Sequence, residues 1–288
     1  MLQKIVKNLS SDNPWRENIQ FFDSITSTND VLKQMASQGA PQGTVLVADS
    51  QTGGRGRLGR TFLSPAGVGI YLSVLLRPNC TPRELMHLTC ACASAACTAI
   101  EQSAGFRPGV KWTNDIVYQK KKLAGILTEL SLKQDGNTAY AIVGIGINCS
   151  QQPEDFPPAI REIAGSLKMA SGREIDRALV AAKMIDAFYD MNRILLTDKS
   201  RIIDRYRGDC ITLGQEVSLV RGDEIRHGRA LDADEEGALI VKYENGTIET
   251  VNSGEVSVRG LYHYLKDSPY IKKFLVAFFA VIGYTIPC

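Results

Sequence analysis

The sequence predicts an α+β fold, with a mixed or antiparallel sheet and flanking helices, followed by a small β-barrel. The chain has 288 residues, of which 44% are hydrophobic and 22% charged, as in a soluble globular protein. Strand and helix patterns follow one another without the regular βαβ alternation of a doubly wound sheet. Near residue 208 the pattern changes to short strands between glycine turns. We therefore expect a large domain in residues 1–208, a barrel in residues 209–264 and an apolar tail in residues 265–288.

The large domain is predicted to begin with a strand over residues 19–23 and a helix from 28 to about 38. Thr26, Ser27 and Thr28 can cap this helix, and Gly39 and Pro41 end it. The remaining elements are strands over 44–49 and 69–77, an Ala-rich helix over 84–104, a hairpin of strands 123–131 and 139–148, and a helical pattern over 175–191.

The small domain is predicted from the repeated spacing of short strands between residues 211 and 259. Glycine turns separate these strands. About 50 residues in this pattern are typical of a small barrel, and we place its boundary near residues 208–210.

Composition excludes several classes of protein. The formal net charge of +2 argues against a nucleic-acid binder that works by bulk charge. The seven cysteines include no CxxC pair, which favours a reducing cytoplasm, and the N-terminus has no apolar core of a signal peptide. Residues 274–288 are mostly apolar but fall short of the ~20 residues that span a bilayer, so a buried or interfacial helix, or a non-functional extension, is favoured over a membrane anchor.

The most informative segment is the glycine-arginine loop, Gln51-Thr-Gly-Gly-Arg-Gly-Arg-Leu-Gly-Arg60. Glycine lets the backbone bend around a ligand, and arginine adds planar donors suited to phosphate or carboxylate. No Asp or Glu occurs between Ser50 and Arg83. The loop therefore predicts an anion cradle, although a solvated mobile loop has the same composition.

The same loop matches the G-x-G-x-x-G pattern of dinucleotide-binding folds at residues 54–59. That fingerprint needs a helix that starts at the loop and an acidic residue about 20 positions further on. Here no helix start follows Arg60, and the next acid, Glu84, lies in a predicted helix. A Rossmann fold is therefore rejected, and the absence of Gly-Lys-Ser/Thr rejects a P-loop.

Two further polar clusters lie among apolar residues. Lys111-Trp-Thr-Asn-Asp115 precedes the strand that begins Lys122-Leu-Ala-Gly-Ile126, where small residues allow a ligand to approach the backbone and lysine can reach a phosphate. Gly144-Ile-Gly-Ile-Asn148 is a second glycine-rich strand end. Asn114 and Asp115 also fit a simple turn, and Asn148 fits either a cap or a ligand contact.

Together with Ser27-Thr-Asn29, these clusters in this order resemble the biotin protein ligases, over about residues 17–264. The resemblance implies a class II synthetase-like catalytic domain and an SH3-like barrel. It also implies the activity of a biotin–[acetyl-CoA-carboxylase] ligase: biotin and ATP form biotinyl-5′-AMP and pyrophosphate with Mg²⁺, and biotin then passes to a lysine of a biotin carboxyl carrier protein. From the cysteine usage, the net charge and the length of the apolar tail we expect a cytoplasmic enzyme that binds neither nucleic acid nor membrane, and a homodimer is compatible with exposed strand edges.

The resemblance also assigns roles to individual residues. Those implied to bind biotin or its adenylate are Ser27, Thr28, Asn29, Gln51, Arg55, Gly56, Arg57, Lys122 and Gly125. Those implied to bind the nucleotide are Phe62, Asn114, Asp115, Asn148 and Arg259. Lys122 and Arg57 are the implied catalytic residues, since attack on a phosphate gathers negative charge that cationic donors stabilise. Asp115 is a candidate for the Mg²⁺ region, and the other metal ligands are unknown.

Some positions depart from the family pattern. Phe62 stands where members often carry a tryptophan that stacks on adenine, and Thr113 replaces a usual proline. About 18 residues precede the first strand, too few for a DNA-binding module of about 60 residues, so we expect a ligase without operator binding. The alternatives are a lipoate or octanoate ligase or transferase, a DNA-binding biotin sensor, and a barrel that acts as an interaction module on an inactive scaffold.

Overall fold

The computed structural model describes residues 1–221, 224–252 and 255–258. Its larger unit is a mixed sheet of seven strands, which lie in the order β1-β2-β3-β7-β6-β5-β4. These strands are β1 (Ile19–Phe22), β2 (Val45–Ala48), β3 (Gly69–Leu76), β4 (Gly109–Lys111), β5 (Asp115–Tyr118), β6 (Lys121–Leu132) and β7 (Thr138–Asn148). β1 runs parallel to β2, and every other pair is antiparallel, so the predicted mixed sheet is confirmed.

Helices cover both faces of this sheet. They are α1 (Leu2–Asn8), α2 (Thr28–Ser37), α3 (Leu88–Ala104), α4 (Leu167–Ser171), α5 (Arg177–Ile194) and α6 (Lys199–Asp209). The predicted cap of α2 is confirmed, since the Ser27 hydroxyl accepts a hydrogen bond from the Asp30 amide. The helix predicted over 84–104 begins later, at Leu88, because residues 83–85 form a separate 3-10 turn in which the Glu84 carboxylate accepts bonds from Thr81.

The main core lies between the sheet and the pair α3 and α5. Every residue of β3 is buried, as its position in the middle of the sheet requires. The alanines and cysteines of α3 pack closely because their side chains are small, and the six cysteines of the described residues are free and buried. A smaller apolar cluster on the other face joins α2 to β2, β3 and β7 through residues such as Leu32 and Leu46.

The C-terminal unit is an antiparallel sheet whose five described strands lie in the order β11-β10-β9-β8-β12. These strands are β8 (Glu216–Arg221), β9 (Glu224–Ala233), β10 (Leu239–Tyr243), β11 (Ile248–Val251) and β12 (Glu255–Val258). The short strands predicted between residues 211 and 259 are therefore confirmed. The apolar tail over 265–288 and the implied ligand contact Arg259 lie outside the described residues. Within the part of the chain that the structure describes, no helix is both long and apolar enough to cross a membrane.

Candidate active site

One cleft collects most of the residues singled out in the sequence. It lies where the glycine-arginine loop, residues 51–60, covers the sheet near β6 and β7. We call its two parts the amide end, of about 340 Å³, and the lysine end, of about 790 Å³. The amide end is lined by Ser27, Thr28, Asn29, Gln51, Gly144 and Gly146, among others. The lysine end is lined by Gly56, Arg57, Lys111, Asn114, Asp115 and Lys122, among others. Arg55, Phe62, Gly125 and Leu127 line both ends.

The amide end is a connected network of neutral polar side chains. The backbone amide and hydroxyl of Thr28 both donate to Gln51 Oε1, at 2.8 and 3.0 Å, and Gln51 Nε2 donates to Ser64 Oγ at 3.0 Å. Ser73 Oγ lies 2.7 Å from Thr28 Oγ1 and 2.6 Å from Asn29 Oδ1. Because these groups hold one another, the donors and acceptors of this end are fixed before any ligand arrives.

A carboxylate that the sequence did not single out, Glu129, is bound to the amide end through Asn29. Its Oε2 accepts from Asn29 Nδ2 at 2.7 Å, and its Oε1 pairs with Lys33 and lies 3.2 Å from Arg55 Nη2. Burial by itself would raise the pKa of Glu129, but the hydrogen bonds from Lys33 and Asn29 outweigh it and hold the pKa below its usual value. Arg55 also pairs with Asp30 on α2. Glu129 therefore ties the glycine-arginine loop to the amide end.

Two glycines of β7 make room for this arrangement. A Cβ at Gly144 would lie 2.1 Å from Asn29 Oδ1, and a Cβ at Gly146 would lie 2.3 Å from the Phe62 ring. Phe62 thus rests directly on the strand, at the junction of the two ends, with its ring edge-on to Tyr71 at 6.3 Å between centroids. The sequence predicts that a ligand approaches this glycine-rich strand end; in the structure the groups that approach the backbone at Gly144 and Gly146 are the side chains of Asn29 and Phe62.

The lysine end carries the charged groups. Lys122 Nζ lies 2.6 Å from Asp115 Oδ1, on the neighbouring strand. Arg57 Nη1 donates to Thr113 Oγ1 at 2.9 Å and to Asn114 Oδ1 at 3.0 Å. These contacts join the glycine-arginine loop to the segment between β4 and β5.

Asn114 is held in turn by the sheet. Its Nδ2 donates to the Ile126 carbonyl at 2.8 Å, and its own backbone carbonyl accepts from the Ile126 amide at 3.0 Å. The side chain that receives Arg57 is therefore bonded to the backbone of β6, which is more than the simple turn residue that the sequence also allowed.

Lys111 is the second residue at this cleft to which the sequence gave no role. Its side chain is buried, and burial lowers the pKa of Lys111 to about 8. The nearby Asp115 carboxylate raises that pKa, while the positive charges of Lys122 and Arg60 lower it further. Two lysines and the loop arginines thus converge on this end, which makes it a site for a strongly anionic ligand.

The other predicted site residues differ in where they lie. Asn148 does not line either end: its Nδ2 donates to the Gly165 carbonyl at 2.9 Å, and its Oδ1 accepts from Gln151 Nε2 at 3.2 Å. Ser27 lines the amide end while its hydroxyl caps α2. Arg259 lies outside the described residues. Across residues 1–221, 224–252 and 255–258, no group of three His, Cys, Asp or Glu side chains is placed to hold a metal ion.

Comparison with known proteins identifies the family that this chain resembles. Residues 21–148 match the biotin/lipoate A/B protein ligase family, and residues 212–259 match the biotin protein ligase C terminal domain. The bifunctional ligase/repressor BirA of Bacillus subtilis is 35% identical over 243 residues, which are 84% of this chain and 74% of that protein. The chain belongs to the biotin protein ligase family. The family prediction from the sequence is thereby confirmed.

Other members of the biotin protein ligase family are similar to this chain over most of their own length. The biotin–[acetyl-CoA-carboxylase] ligase of Mycobacterium tuberculosis is 29% identical over 84% of this chain and 89% of its own. The structure of biotin protein ligase from Aquifex aeolicus in complex with biotin and ATP has 32% sequence identity and a TM-score of 0.68, and the alignment covers 84% of this chain and 99% of that one. Enzymes of this family form biotinyl-5′-AMP and transfer biotin to a carrier protein.

Proposed function

We propose that this chain carries out the family reaction in the cleft described above, with biotin at the amide end and ATP at the lysine end. The observation that carries the proposal is the continuity of the two ends through Arg55, Phe62 and Gly125. A carboxylate held at the amide end then points toward phosphates held at the lysine end. The neutral network around Thr28 and Gln51 suits the uncharged ureido ring of biotin.

The first step needs charge stabilisation more than proton transfer. The carboxylate oxygen of biotin attacks the α-phosphorus, a new P–O bond forms, and the bond to pyrophosphate breaks with its electron pair leaving on pyrophosphate. Biotin is already ionised at neutral pH, so no base is required. Lys122 and Arg57 are placed to stabilise the charge that gathers on the phosphate oxygens, and Lys111 adds a buried cation nearby.

In the second step the neutral amine of an acceptor lysine attacks the acyl carbon of the adenylate and forms an amide bond. The bond between that carbon and the phosphate oxygen breaks, AMP leaves with the electron pair, and the proton lost by the amine passes to solvent. The adenylate is a mixed anhydride that water would hydrolyse, so it must be shielded until the acceptor arrives. The glycine-arginine loop forms one wall of the cleft and is tied down through Arg55 to Glu129 and through Arg57 to Asn114. Such a wall suits a segment that closes over the intermediate.

The donor set fits a magnesium ion that arrives with ATP. Magnesium binds one or two carboxylates together with substrate phosphates, and Asp115 is a carboxylate of the lysine end within reach of the cationic groups there. The ion would neutralise charge on the departing pyrophosphate. Before ATP binds, Lys122 holds Asp115 through their ion pair.

The proposal extends to features beyond the cleft. It includes closure of the C-terminal strands as an SH3-like barrel on a class II synthetase-like catalytic domain. It also includes a carboxyl carrier domain of acetyl-CoA carboxylase, or of another biotin-dependent carboxylase, as the acceptor. The matches to the biotin ligase C terminal domain and to a biotin–[acetyl-CoA-carboxylase] ligase support these two points. A cytoplasmic enzyme, monomeric or homodimeric, completes it.

The test is pyrophosphate release from Mg-ATP with biotin, lipoate, octanoate or no acid, followed by addition of a biotin carboxyl carrier domain. We expect release with biotin alone among the acids, and mass spectrometry should then show one biotinylated lysine on the carrier. Stronger release with lipoate or octanoate would assign the chain to the lipoate branch of the family. No release with any acid would refute the proposed activity.

A further inference from the structure

We propose that the C-terminal unit positions the nucleotide-binding residues through Trp112, by means of Thr212 and Gly237, which act as positioning residues. The inference rests on the proposed function, because it concerns the ATP half of the same site. Thr212 and Gly237 both lie within residues 212–259, which match the C terminal domain of biotin protein ligases, and neither lines the cleft.

Trp112 is held by the C-terminal unit at two separate points. Its backbone amide donates to Thr212 Oγ1 at 2.9 Å, and its indole Nε1 donates to the Gly237 carbonyl at 2.9 Å. Trp112 and Thr212 are both buried. Because water does not reach these groups, each bond fixes the tryptophan more firmly than a surface contact would.

The turn that carries Gly237 is rigid and closely fitted. Asp234 Oδ1 accepts from the amides of Glu236 and Ala238, both at 2.9 Å, and Gly237 has a φ of +80°, which favours glycine. A Cβ at Gly237 would lie 2.3 Å from Cys90 Sγ on α3. Lys199 Nζ, on α6, pairs with Glu236 at 2.6 Å. These contacts fix the turn to the catalytic domain, so the Gly237 carbonyl holds Trp112 in place.

The segment around Trp112 carries the groups that face the nucleotide. Lys111 precedes it, and Asn114 and Asp115 follow it, all three lining the lysine end. The backbone of Val110, two residues before Trp112, is also tied to the C-terminal side, since the Ile211 amide donates to the Val110 carbonyl at 3.0 Å. A small shift of Trp112 therefore moves a cation, an amide and a carboxylate together. The amide end is lined by residues of α2, the glycine-arginine loop, β6 and β7, together with Phe62, and none of residues 110–115 lines it.

Thr212→Val tests this coupling, because valine keeps the shape of threonine and removes the acceptor. We expect the KM for ATP in adenylate formation to rise about tenfold, the effect of one lost buried hydrogen bond, while kcat changes less. The Kd for biotin should stay within about twofold, since no residue of the segment around Trp112 lines the amide end. Thr212→Ser keeps the hydroxyl and should restore the wild-type KM for ATP. Trp112→Phe removes the indole N–H and should raise the same KM. It replaces Thr212→Val as the test if Thr212→Val does not fold.

The matched control is Ser218→Ala, which removes an exposed hydrogen bond to His227 within the same unit and should leave both constants unchanged. Equal losses for ATP and biotin in Thr212→Val would mean a general structural defect and would overturn the inference. So would a KM for ATP within about twofold of wild type in both Thr212→Val and Trp112→Phe. Failure of the proposed function is recognised separately, because wild-type protein would then release no pyrophosphate with biotin.

Discussion

Replacing Gly144 by alanine should disable the amide end through a single contact. The new Cβ would lie 2.1 Å from Asn29 Oδ1, whereas Cβ contacts under 3.0 Å are essentially never seen. Gly144 lies on β7, in the interior of the sheet, so the strand cannot retreat. The Asn29 side chain must therefore move by about 1 Å or rotate away.

The cost follows from the bonds that Asn29 gives up. Its Oδ1 accepts from Ser73 at 2.6 Å, and its Nδ2 donates to the Glu129 carboxylate at 2.7 Å. A neutral bond contributes about 1 kcal/mol and a bond to a charged group about 2 kcal/mol, so we expect the free energy of unfolding to fall by about 2–4 kcal/mol. For a chain of this size the melting temperature should drop by roughly 5–15 °C.

Two measurements check this prediction: thermal unfolding followed by circular dichroism, and biotin binding by calorimetry. Biotin affinity should fall at least about tenfold, because the polar lining of the amide end is displaced. Gly208→Ala is the matched control, since a Cβ there meets nothing within 4 Å and the residue lies in α6. It should leave binding unchanged and stabilise slightly. Wild-type melting and wild-type biotin affinity in Gly144→Ala would refute the reasoning.

Three further predictions concern the lysine end. Arg57→Gly removes the bonds to Thr113 and Asn114 that hold the glycine-arginine loop. Adenylate should then escape and label lysines of an added bystander protein. Labelling equal to that by the wild type would contradict this prediction. Lys122→Met should lower kcat for adenylate formation about a hundredfold. Lys121→Met should change kcat little, because the Nζ of Lys121 donates to the backbone carbonyl of Glu162. Equal effects of the two substitutions would rule out a specific role for Lys122. Burial lowers the pKa of Lys111 to about 8, so Lys111 loses its positive charge above that pH. The KM for ATP should therefore rise above about pH 8 in the wild type and stay level in Lys111→Arg. A level KM in the wild type would argue against a role of Lys111 in ATP binding. The unfolded lysine keeps its proton up to about 10.5, so the contribution of Lys111 to the free energy of unfolding should increase with pH between these two values.

Local patterns predicted much of the fold. The cap of α2 at Ser27, the hairpin of β6 and β7, and the short strands after residue 211 all depend on residues close in sequence. The start of α3 was placed too early because Glu84 bonds back to Thr81 and closes a separate turn, a competition that helical periodicity does not register.

The site was predicted less evenly. Motif spacing identified most residues that line the cleft, including Gln51, Lys122 and Gly125. It missed the role of Glu129, whose contact with Asn29 spans 100 positions, and it missed Ser73 inside a fully buried strand. Asn148 occupies a site of its own with Gly165 and Gln151, and its nucleotide role stays a prediction. Contacts between residues far apart in sequence leave no periodic signal in either partner.

The order of strands in the sheet has a consequence for synthesis on the ribosome. β3 ends at Leu76 and is buried along its whole length, yet one of its two neighbours, β7, begins only at Thr138. Until that hairpin emerges, the nascent chain presents an apolar strand with an open edge, the feature from which intermolecular pairing starts. We expect chains truncated before β7 to aggregate and to be retained by chaperones, and chains that extend past Asn148 to escape them.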